Sequence, residues 1–518
     1  MKLNYKLKII LFLLVLVYDY TYSQAPAIQW QKNFGGSDVD GSTKIQQTTD
    51  GGYILGGLSF SNDLDVVGNH GGSDFWVVKT SINGTLEWKK SFGGTGNEYL
   101  YSLQQTTDGG YILAGYTTSN NGDVTINHGG SDFWIVKISS LGIIEWEKSY
   151  GGSSDDLARS IQQTTDGGYI VVGITGSNNG DVVGHLGYND FWVIKISSVG
   201  ILEWQKTLGG SFYDDAYFIR QTTDGGYIVI GNTGSVDGNV TTSYGSDDIL
   251  IVKLSSLGLL EWNKSIGGSG VDLSTCIIQT TDGGYIIAGQ TNSINIPGVL
   301  NYGNYDCLVI KLSSTGVIEW NKNYGGSNSD LFDTVQKTID GGYILVGVTY
   351  SNNNDVTGYY GDRDSWVVKI NSTGIIQWQK VIGGTGFDSG TDVIQTTDSG
   401  YIVFNSTSSL DGDFTLNNGN LDYGIVKLGP DNLSTKSFKE DNSISIFPNP
   451  TKDNLSIKID YFTPSQEIII TDILGKIIYT QILEGLTTTI NTSNLEKGIY
   501  ILNLKNEAQL ISQKFIKE

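Results

Sequence analysis

The chain has 518 residues, more than one ordinary domain needs, with 69 glycines, 29 tyrosines, 11 tryptophans and a formal net charge of −22. Hydrophobic residues make up 38% of it, which excludes a chain that is disordered throughout. The excess of negative charge excludes nucleic acid and anionic lipid as partners of the central region, because like charges repel.

The N-terminus has the features of a secretory signal peptide. Lys2, Lys6 and Lys8 form a basic start, the apolar run IILFLLVLV follows, and the polar stretch YDYTYS leads to Gln24. The apolar run is too short to span a bilayer comfortably. We therefore predict a signal peptide at residues 1–23 that is cleaved just before Gln24. An uncleaved membrane anchor is the alternative.

Residues 24–430 contain a repeat of constant length. The Asp of the motif TDGGY stands at 50, 108, 166, 224, 282 and, as IDGGY, 340 and, as TDSGY, 398, which is a constant step of 58 residues. A Trp and a second Asp keep the same step: Trp30, Trp88, Trp146, Trp204, Trp262, Trp320 and Trp378, and Asp74, Asp132, Asp190, Asp248, Asp306, Asp364 and Asp422. A period of this size indicates a solenoid, a propeller or an array.

Each repeat is typical of four short β-strands. In one repeat these are ARSIQQTTD (strand A), GGYIVVGITG (strand B), FWVIKISS (strand C) and ILEWQKTLGG (strand D), separated by Gly, Asp, Asn and Ser. Four strands in each of seven repeats predict an all-β, seven-bladed β-propeller. The array begins with a lone strand D at 28–36 and ends with a strand C at 423–429. We therefore expect the N-terminal strand to complete the last blade and close the ring.

The turns and loops of a propeller lie on two faces. The TTDGGY motif is the A–B turn, where Asp and Gly predict a tight hairpin. It resembles the Asp-box of sialidases, but its aromatic residue comes too early. The arginines that a sialidase site needs are not aligned in the repeat, since Arg159, Arg220 and Arg363 occupy unrelated positions. The Trp of strand D is expected to pack one blade against the next.

The opposite face carries one acid at the end of each D–A loop. These acids are Asp40, Glu98, Asp156, Asp214, Asp272, Asp330 and Asp388, and the B–C loops add Asp65, Asp123, Asp181, Asp355 and Asp413. Carboxylates beside Asn and Gly can ligate Ca²⁺, so the seven D–A acids are predicted as Ca²⁺ ligands or ligand-facing groups. Structural capping of the loops is the alternative, since no calcium loop of the DxDxDG type is present.

The remaining candidates for metal or redox chemistry are few. His70 and His128 share one column but have no clustered third ligand, so we expect exposed loop residues. Cys276 and Cys307 fall on strands A and C of one blade, too far apart for a disulfide, and are predicted to be free thiols. No organic cofactor is predicted.

Strands C and D share the pattern VVKISSxGxIEW. This pattern resembles the tryptophan-docking repeat of pyrroloquinoline-quinone-type propellers. Those enzymes have eight blades, an adjacent cysteine pair and a metal-bound quinone. This chain has seven repeats and no adjacent cysteines. The resemblance therefore implies the fold and argues against the quinone.

The repeat ends at residue 430, a predicted linker follows at 431–443, and the segment 444–518 has a different pattern. Its characteristic residues are Pro448, Asn449, Pro450, Leu455, Ile457, Asp472, Gly475, Lys476, Tyr479, Leu495, Gly498, Ile499, Tyr500, Lys514, Phe515 and Ile516. This pattern bears a close resemblance to the type A C-terminal sorting domain of the type IX secretion system of Bacteroidota. It implies a small Ig-like β-sandwich, recognised by the outer-membrane export machinery and normally removed afterwards. An ordinary adhesive β-sandwich is the alternative.

These observations predict a secreted or cell-surface β-propeller that acts as a monomeric binding or adhesion module. The candidate ligand surface is the face of the D–A and B–C loops, and the ligand is an extracellular glycan or protein. A carbohydrate-active or other hydrolytic enzyme is an alternative, although no nucleophile, base and orienting group stand out. A structural component of a surface layer is the second alternative.

Overall fold

The computed structural model describes residues 23–431, 444–459, 466–472, 476–483, 485–505 and 510–518. In these ranges every regular element is a β-strand. No helix that could cross a membrane occurs among them. The chain divides into two compact units, residues 1–432 and residues 433–518. Residues 1–22 of the predicted signal peptide and nearly all of the predicted linker lie outside the described residues.

The first unit contains seven four-stranded antiparallel sheets. In chain order its strands are β1 (Ile28–Phe34), β2 (Asp40–Gln47), β3 (Tyr53–Ser59), β4 (Asp74–Thr80), β5 (Leu86–Phe92), β6 (Glu98–Gln105), β7 (Tyr111–Thr117), β8 (Asp132–Ile138), β9 (Ile144–Tyr150), β10 (Asp156–Gln163), β11 (Tyr169–Thr175), β12 (Asp190–Ile196), β13 (Leu202–Leu208), β14 (Asp214–Gln221), β15 (Tyr227–Thr233), β16 (Asp248–Leu254), β17 (Leu260–Ile266), β18 (Asp272–Gln279), β19 (Tyr285–Thr291), β20 (Asp306–Leu312), β21 (Ile318–Tyr324), β22 (Asp330–Lys337), β23 (Tyr343–Thr349), β24 (Asp364–Ile370), β25 (Ile376–Ile382), β26 (Asp388–Gln395), β27 (Tyr401–Thr407) and β28 (Asp422–Leu428).

The N-terminal strand closes the ring of sheets. Six sheets, here called blades, contain strands A to D in chain order, from β2–β5 in the first to β22–β25 in the sixth. The seventh blade takes strands A to C from β26–β28 and its strand D from β1. β1 pairs antiparallel with β28, so that Phe34 lies opposite Tyr423. Between the first and last blades, the backbone N–H of Ser42 donates to the Ser406 hydroxyl at 2.9 Å. The unit is therefore a β-propeller closed as the sequence predicts.

The blades pack through their middle strands and through the Trp of strand D. Strands B and C are buried on both faces because each blade lies between two others. The Trp88 ring lies 6.0 Å from the Tyr111 ring of the next blade. Its indole N–H donates to the Ser140 carbonyl in the C–D turn of that blade at 3.2 Å. The predicted role of the Trp column in packing between blades is confirmed.

The A–B turn is tied to strands C and D by a buried lysine. Gly51 has a φ of 86°, and the Asp50 carboxylate accepts the Gly52 N–H at 2.9 Å, as the TDGGY motif predicts. Lys79 of strand C is buried, and its Nζ lies 2.9 Å from Asp50 and 2.8 Å from Glu87 of strand D. This lysine, whose role is not evident from the sequence, repeats as Lys137, Lys195, Lys253, Lys311, Lys369 and Lys427. Each of these lysines forms a salt bridge with the Asp of the A–B turn in its own blade.

The second unit has two sheets. Its strands are β29 (Ile444–Phe447), β30 (Asn454–Ile459), β31 (Glu467–Asp472), β32 (Ile477–Ile482), β33 (Thr487–Asn491), β34 (Gly498–Lys505) and β35 (Leu510–Lys517). One sheet has the order β29-β30-β33 and the other β32-β31-β34-β35. Leu455 and Ile457 from the first sheet share one core with Ile470, Leu502 and Phe515 from the second. The unit is therefore a small β-sandwich.

Candidate functional site

The seven D–A acids lie beneath the surface of the loops that contain them. All seven are fully buried. In the third blade, Asp156 Oδ2 accepts the Gly152 N–H and the Ser177 hydroxyl, both at 2.8 Å. Its Oδ1 accepts the Thr175 hydroxyl at the end of strand B. The hydrogen bond from the D–A loop glycine is present in all seven blades. This geometry is that of a loop cap, and Ca²⁺ binding by these acids stays a prediction.

A second buried acid faces each of these caps from the neighbouring blade. It is the first residue of strand C: Asp74, Asp132, Asp190, Asp248, Asp306, Asp364 and Asp422. Oδ2 accepts a backbone N–H four residues earlier, as from Tyr302 to Asp306 at 2.6 Å. Oδ1 has no hydrogen-bond partner in the described residues in any of the seven. The seams between blades therefore contain carboxylates that are expensive to ionise.

A loop glycine separates the two acids at each seam. A Cβ added to Gly35 would lie 2.2 Å from Asp422 Oδ1 and 2.8 Å from Asp40 Oδ2, so only glycine fits there. Burial raises the pKa of Asp40 to about 6, against hydrogen bonds from Ser59, Gly36 and Ser61, and burial also raises the pKa of Asp422 to about 6. Within the described ranges, no group of three or more His, Cys, Asp or Glu side chains is arranged to hold a metal ion.

The histidines and cysteines lie outside any such group. His70 and His128 are half-exposed, and each places Nδ1 beside the strand C acid of its own blade, at 2.7 Å from Asp74 and 2.8 Å from Asp132. Cys276 and Cys307 are buried free thiols, as predicted. These four residues therefore belong to the packing and loop structure of the blades.

Exposed aromatic rings are concentrated on the face of the D–A and B–C loops, called here the loop face. Tyr188, Phe212 and Tyr213 are 61%, 48% and 46% exposed. The Tyr188 and Tyr213 rings stack at 5.1 Å with an interplanar angle of 16°, and Phe212 stands edge-on to both. We call these three residues the aromatic ridge. Further exposed rings on this face are Phe60, Tyr244, Tyr302, Tyr360 and Phe387.

The opposite face carries aliphatic side chains instead. Its C–D turns expose Leu141, Ile143, Val199, Ile201, Leu257 and Leu259. Its A–B turns are occupied by the lysine-aspartate pairs described above. The two faces therefore differ in chemistry, and flat aromatic surfaces are a property of the loop face.

The central channel is lined by strand A, and its fourth residue forms a ring of unlike side chains. We call this set the channel ring: Thr43, Tyr101, Arg159, Tyr217, Thr275, Asp333 and Thr391. Pairing with strand B skips this residue in every blade, which is a β-bulge. All seven side chains are partly exposed. The bulge thus turns the fourth side chain toward the channel.

The side chains of the channel ring differ in the hydrogen bonds and ring contacts that they make. Thr43 donates to the Gly56 carbonyl at 2.8 Å, and the other two threonines bond strand B carbonyls in the same way. The Arg159 guanidinium lies 4.1 Å from the Tyr101 ring centroid and 5.9 Å from that of Tyr217. Its Nε has no hydrogen-bond partner within the described part of the chain.

Asp333 is the acid of the channel ring. No hydrogen bond to its carboxylate is found in the described residues. Burial raises the pKa of Asp333 to about 6, although the charges of Arg363 and Lys44 lower it. The carboxylate therefore keeps its capacity to accept hydrogen bonds from outside the chain.

Below the ring, side chains from opposite blades meet across the channel. Lys44 Nζ of the first blade lies 3.8 Å from Asp392 and 6.0 Å from the ring centroid of Phe218 in the fourth blade. The Arg220 guanidinium lies 3.8 Å above the same ring. These contacts narrow the channel on the side of the A–B turns, so the channel ring is reached from the loop face.

The predicted sorting residues hold the second unit together. The Asn449 amide donates to the Lys514 carbonyl at 3.0 Å, and its oxygen accepts the Ile516 N–H at 2.9 Å. Pro448 and Pro450, on either side of it, both follow cis peptide bonds. The Tyr500 ring stacks on Phe515 at 5.5 Å.

The other sorting residues stand at strand ends. Asp472 Oδ1, at the end of β31, accepts the Lys476 N–H at 3.0 Å. Gly498 begins β34. Gly475 lies outside the described residues. The motif therefore joins the segment after the first strand of this unit to its last strand, and it links Asp472 to Lys476.

The second unit matches a known protein family, and a longer part of the chain is similar to a known protein. Residues 445–518 match the family model described as a secretion system C-terminal sorting domain. The chain is 23% identical over 439 residues to the regulatory protein FlaEY of Caulobacter vibrioides. That match covers 76% of this chain and 44% of the relative, so the chain spans less than half of the relative's length.

Solved structures with a similar fold share little sequence with this chain. The WD40 domain of Neurospora crassa Pan2 is 10% identical, with a TM-score of 0.44 over 78% of this chain and 97% of that one. Prolyl oligopeptidase B from Galerina marginata is 11% identical, with a TM-score of 0.39 over 82% of this chain and 57% of that one.

The sorting domain assigns the protein to type IX secretion and to the cell surface.

Proposed function

We propose that this protein is an extracellular binding module whose loop face engages a glycan or protein ligand after export through the type IX system. The aromatic ridge carries this proposal. Three large rings project from two adjacent loops into solvent, although burial of such rings on folding would be favourable. Aromatic side chains of this kind are enriched where proteins bind other molecules.

The setting of the ridge favours a polar ligand. Asn189, next to Tyr188, donates to the Asp215 carboxylate at 3.1 Å, so acid and amide groups lie beside the rings. Rings next to hydrogen-bonding groups suit ligands with both flat apolar and hydroxyl or amide surfaces. The opposite face lacks this combination in its exposed turns. Recognition is therefore expected on the loop face.

The test compares matched changes on the two faces. The chain from Gln24 to Glu518 is applied to an array of glycans and to an array of extracellular proteins. We expect Phe212→Ala with Tyr213→Ala to abolish binding, and Leu257→Ala with Leu259→Ala, which removes aliphatic groups from the opposite face, to leave it unchanged. Binding that survives the ridge change would contradict the proposal. A wild-type chain that binds no probe would favour the structural surface-layer alternative.

A further inference from the structure

The channel ring is one of the positions of strand A at which the residue changes from blade to blade. The caps, the strand C acids, the Trp column and the buried lysines are nearly the same in every blade. The channel ring instead contains three threonines, two tyrosines, one arginine and one aspartate. Since the threonines already satisfy the strand B carbonyls that the bulge exposes, the other four residues are not explained by the blade structure.

The irregular residues are arranged on opposite sides of the channel. Tyr101, Arg159 and Tyr217 come from the second, third and fourth blades, and Asp333 comes from the sixth. Arg159 and Asp333 occupy the same strand position, three blades apart in a ring of seven sheets, and therefore lie at the same depth on opposing walls. Large side chains fill one half of the ring, and small ones line the other half beside Asp333.

We infer that the channel ring binds one sugar residue of a neutral oligosaccharide, and that the rest of the oligosaccharide lies along the aromatic ridge. This inference rests on the proposed function, because it needs the loop face to be the binding face. Tyr213 of the ridge and Tyr217 of the ring are four residues apart, at the start of strand A in the fourth blade. The ridge therefore leads into the channel mouth.

The side chains of the ring match the groups of a sugar. A carboxylate with free acceptor capacity, such as Asp333, can accept hydrogen bonds from two adjacent hydroxyls. The guanidinium of Arg159 can donate to a ring or hydroxyl oxygen, and the faces of Tyr101 and Tyr217 can cover the apolar C–H side of a sugar.

The net charge of the chain favours a ligand that carries no negative charge. Arg159 and Asp333 have opposite charges in the ring, and below it Lys44 lies beside Asp392 while Arg220 adds one further positive charge. Over the whole chain the net charge is −22, which repels acidic polysaccharides. A neutral oligosaccharide does not meet this repulsion.

The experiment measures the affinity of the chain from Gln24 to Glu518 for short neutral oligosaccharides by calorimetry. We expect Asp333→Asn and Arg159→Gln each to weaken binding about ten- to hundredfold, because each removes a charge-assisted hydrogen bond. Leu257→Ser on the opposite face is the control and should bind as the wild type does. Because the Asp333 carboxylate accepts no hydrogen bond within the described chain and burial raises its pKa, Asp333→Asn should not lower the melting temperature, which separates loss of binding from loss of folding.

Two outcomes would overturn the inference and differ in what they say of the proposed function. In the first outcome, the wild type binds oligosaccharides, the ridge change abolishes this binding, and Asp333→Asn and Arg159→Gln keep the wild-type affinity. The loop face then binds glycans, but the channel ring does not. If the loop face binds only proteins, the binding function stands and the neutral sugar is wrong.

Discussion

The buried acids at the blade seams predict an unusual dependence of stability on pH. Asp306 is fully buried, accepts hydrogen bonds from Tyr302 and Asn323, and leaves Oδ1 unpaired. Burial above all, opposed by the hydrogen bonds from Tyr302 and Asn323 and assisted by the nearby charges of Asp330 and Asp355, raises the pKa of Asp306 from 3.8 to about 6. The folded chain therefore holds this proton more tightly than the unfolded chain does.

The sign follows from proton linkage. A carboxyl group whose pKa is higher in the folded state contributes its full stability below pH about 4, and that stability is lost as the pH rises through about 6. One pH unit of difference between the two pKa values corresponds to about 1.4 kcal/mol. Ionisation of Asp306 should therefore lower the free energy of unfolding by about 3 kcal/mol at neutral pH, as an upper value for a single group.

Asp306→Asn removes this ionisation and keeps an oxygen to accept the Tyr302 N–H. Urea unfolding followed by tryptophan fluorescence at about pH 4 and about pH 7 gives the change in unfolding free energy for each chain. Between about pH 4 and about pH 7, we expect the free energy of unfolding to fall by about 2–3 kcal/mol less in the variant than in the wild type.

Asp282→Asn in the same blade is the matched control. Hydrogen bonds to the Asp282 carboxylate from Thr280, against burial, and then from Lys311 and Gly284 lower its pKa to about 2. The folded Asp282 carboxyl therefore titrates below the pH range of the experiment, and Asp282→Asn should show the same change in unfolding free energy with pH as the wild type. If Asp306→Asn also showed the same change as the wild type, the reasoning about the seam acids would be refuted.

Two further predictions concern the seventh A–B turn and the sorting domain. Ser399 takes the place of the turn glycine at a φ of 65°, so Ser399→Gly should raise the free energy of unfolding by about 1 kcal/mol, measured as a higher melting temperature. Asp398→Gly, in the same turn, should lower the free energy of unfolding, because Lys427 loses its salt-bridge partner at 3.0 Å. A lower melting temperature in Ser399→Gly would contradict the strain argument. Deletion of residues 444–518 should leave the propeller inside the cell envelope, as detected by immunoblotting of medium and periplasm. Appearance of the shortened chain in the medium would contradict the role of the sorting domain.

Sequence reasoning located the strands well, because a constant repeat aligns seven versions of each strand and turn. It could not decide the role of the D–A acids, since an aspartate that caps a loop and one that binds a ligand look alike until burial is known. Asp156 is such a case. Lys79 was missed because it stands inside an apolar strand, where its reach to Asp50 depends on the fold of the hairpin.

An alignment of the repeats narrows the search for the channel ring but does not find it. Strand A varies at its second, third, fourth and fifth residues, and the position of Arg159 and Asp333 is only one of these. What no alignment of repeats could supply is the bulge, which places this residue in the channel instead of between blades.

The closure of the ring by β1 also sets the order of events in folding. Ile28 pairs with Leu428, so the last blade cannot form until the chain has been synthesised as far as Leu428. Joining ends this far apart carries an entropy cost of about 5 kcal/mol by the logarithmic loop law, which the seam contacts must offset. Until then, the outer edge of β28 is open to pairing with another chain. β1 thus stays unpaired, and the chain stays exposed to self-association, until Leu428 has been synthesised and can pair with it.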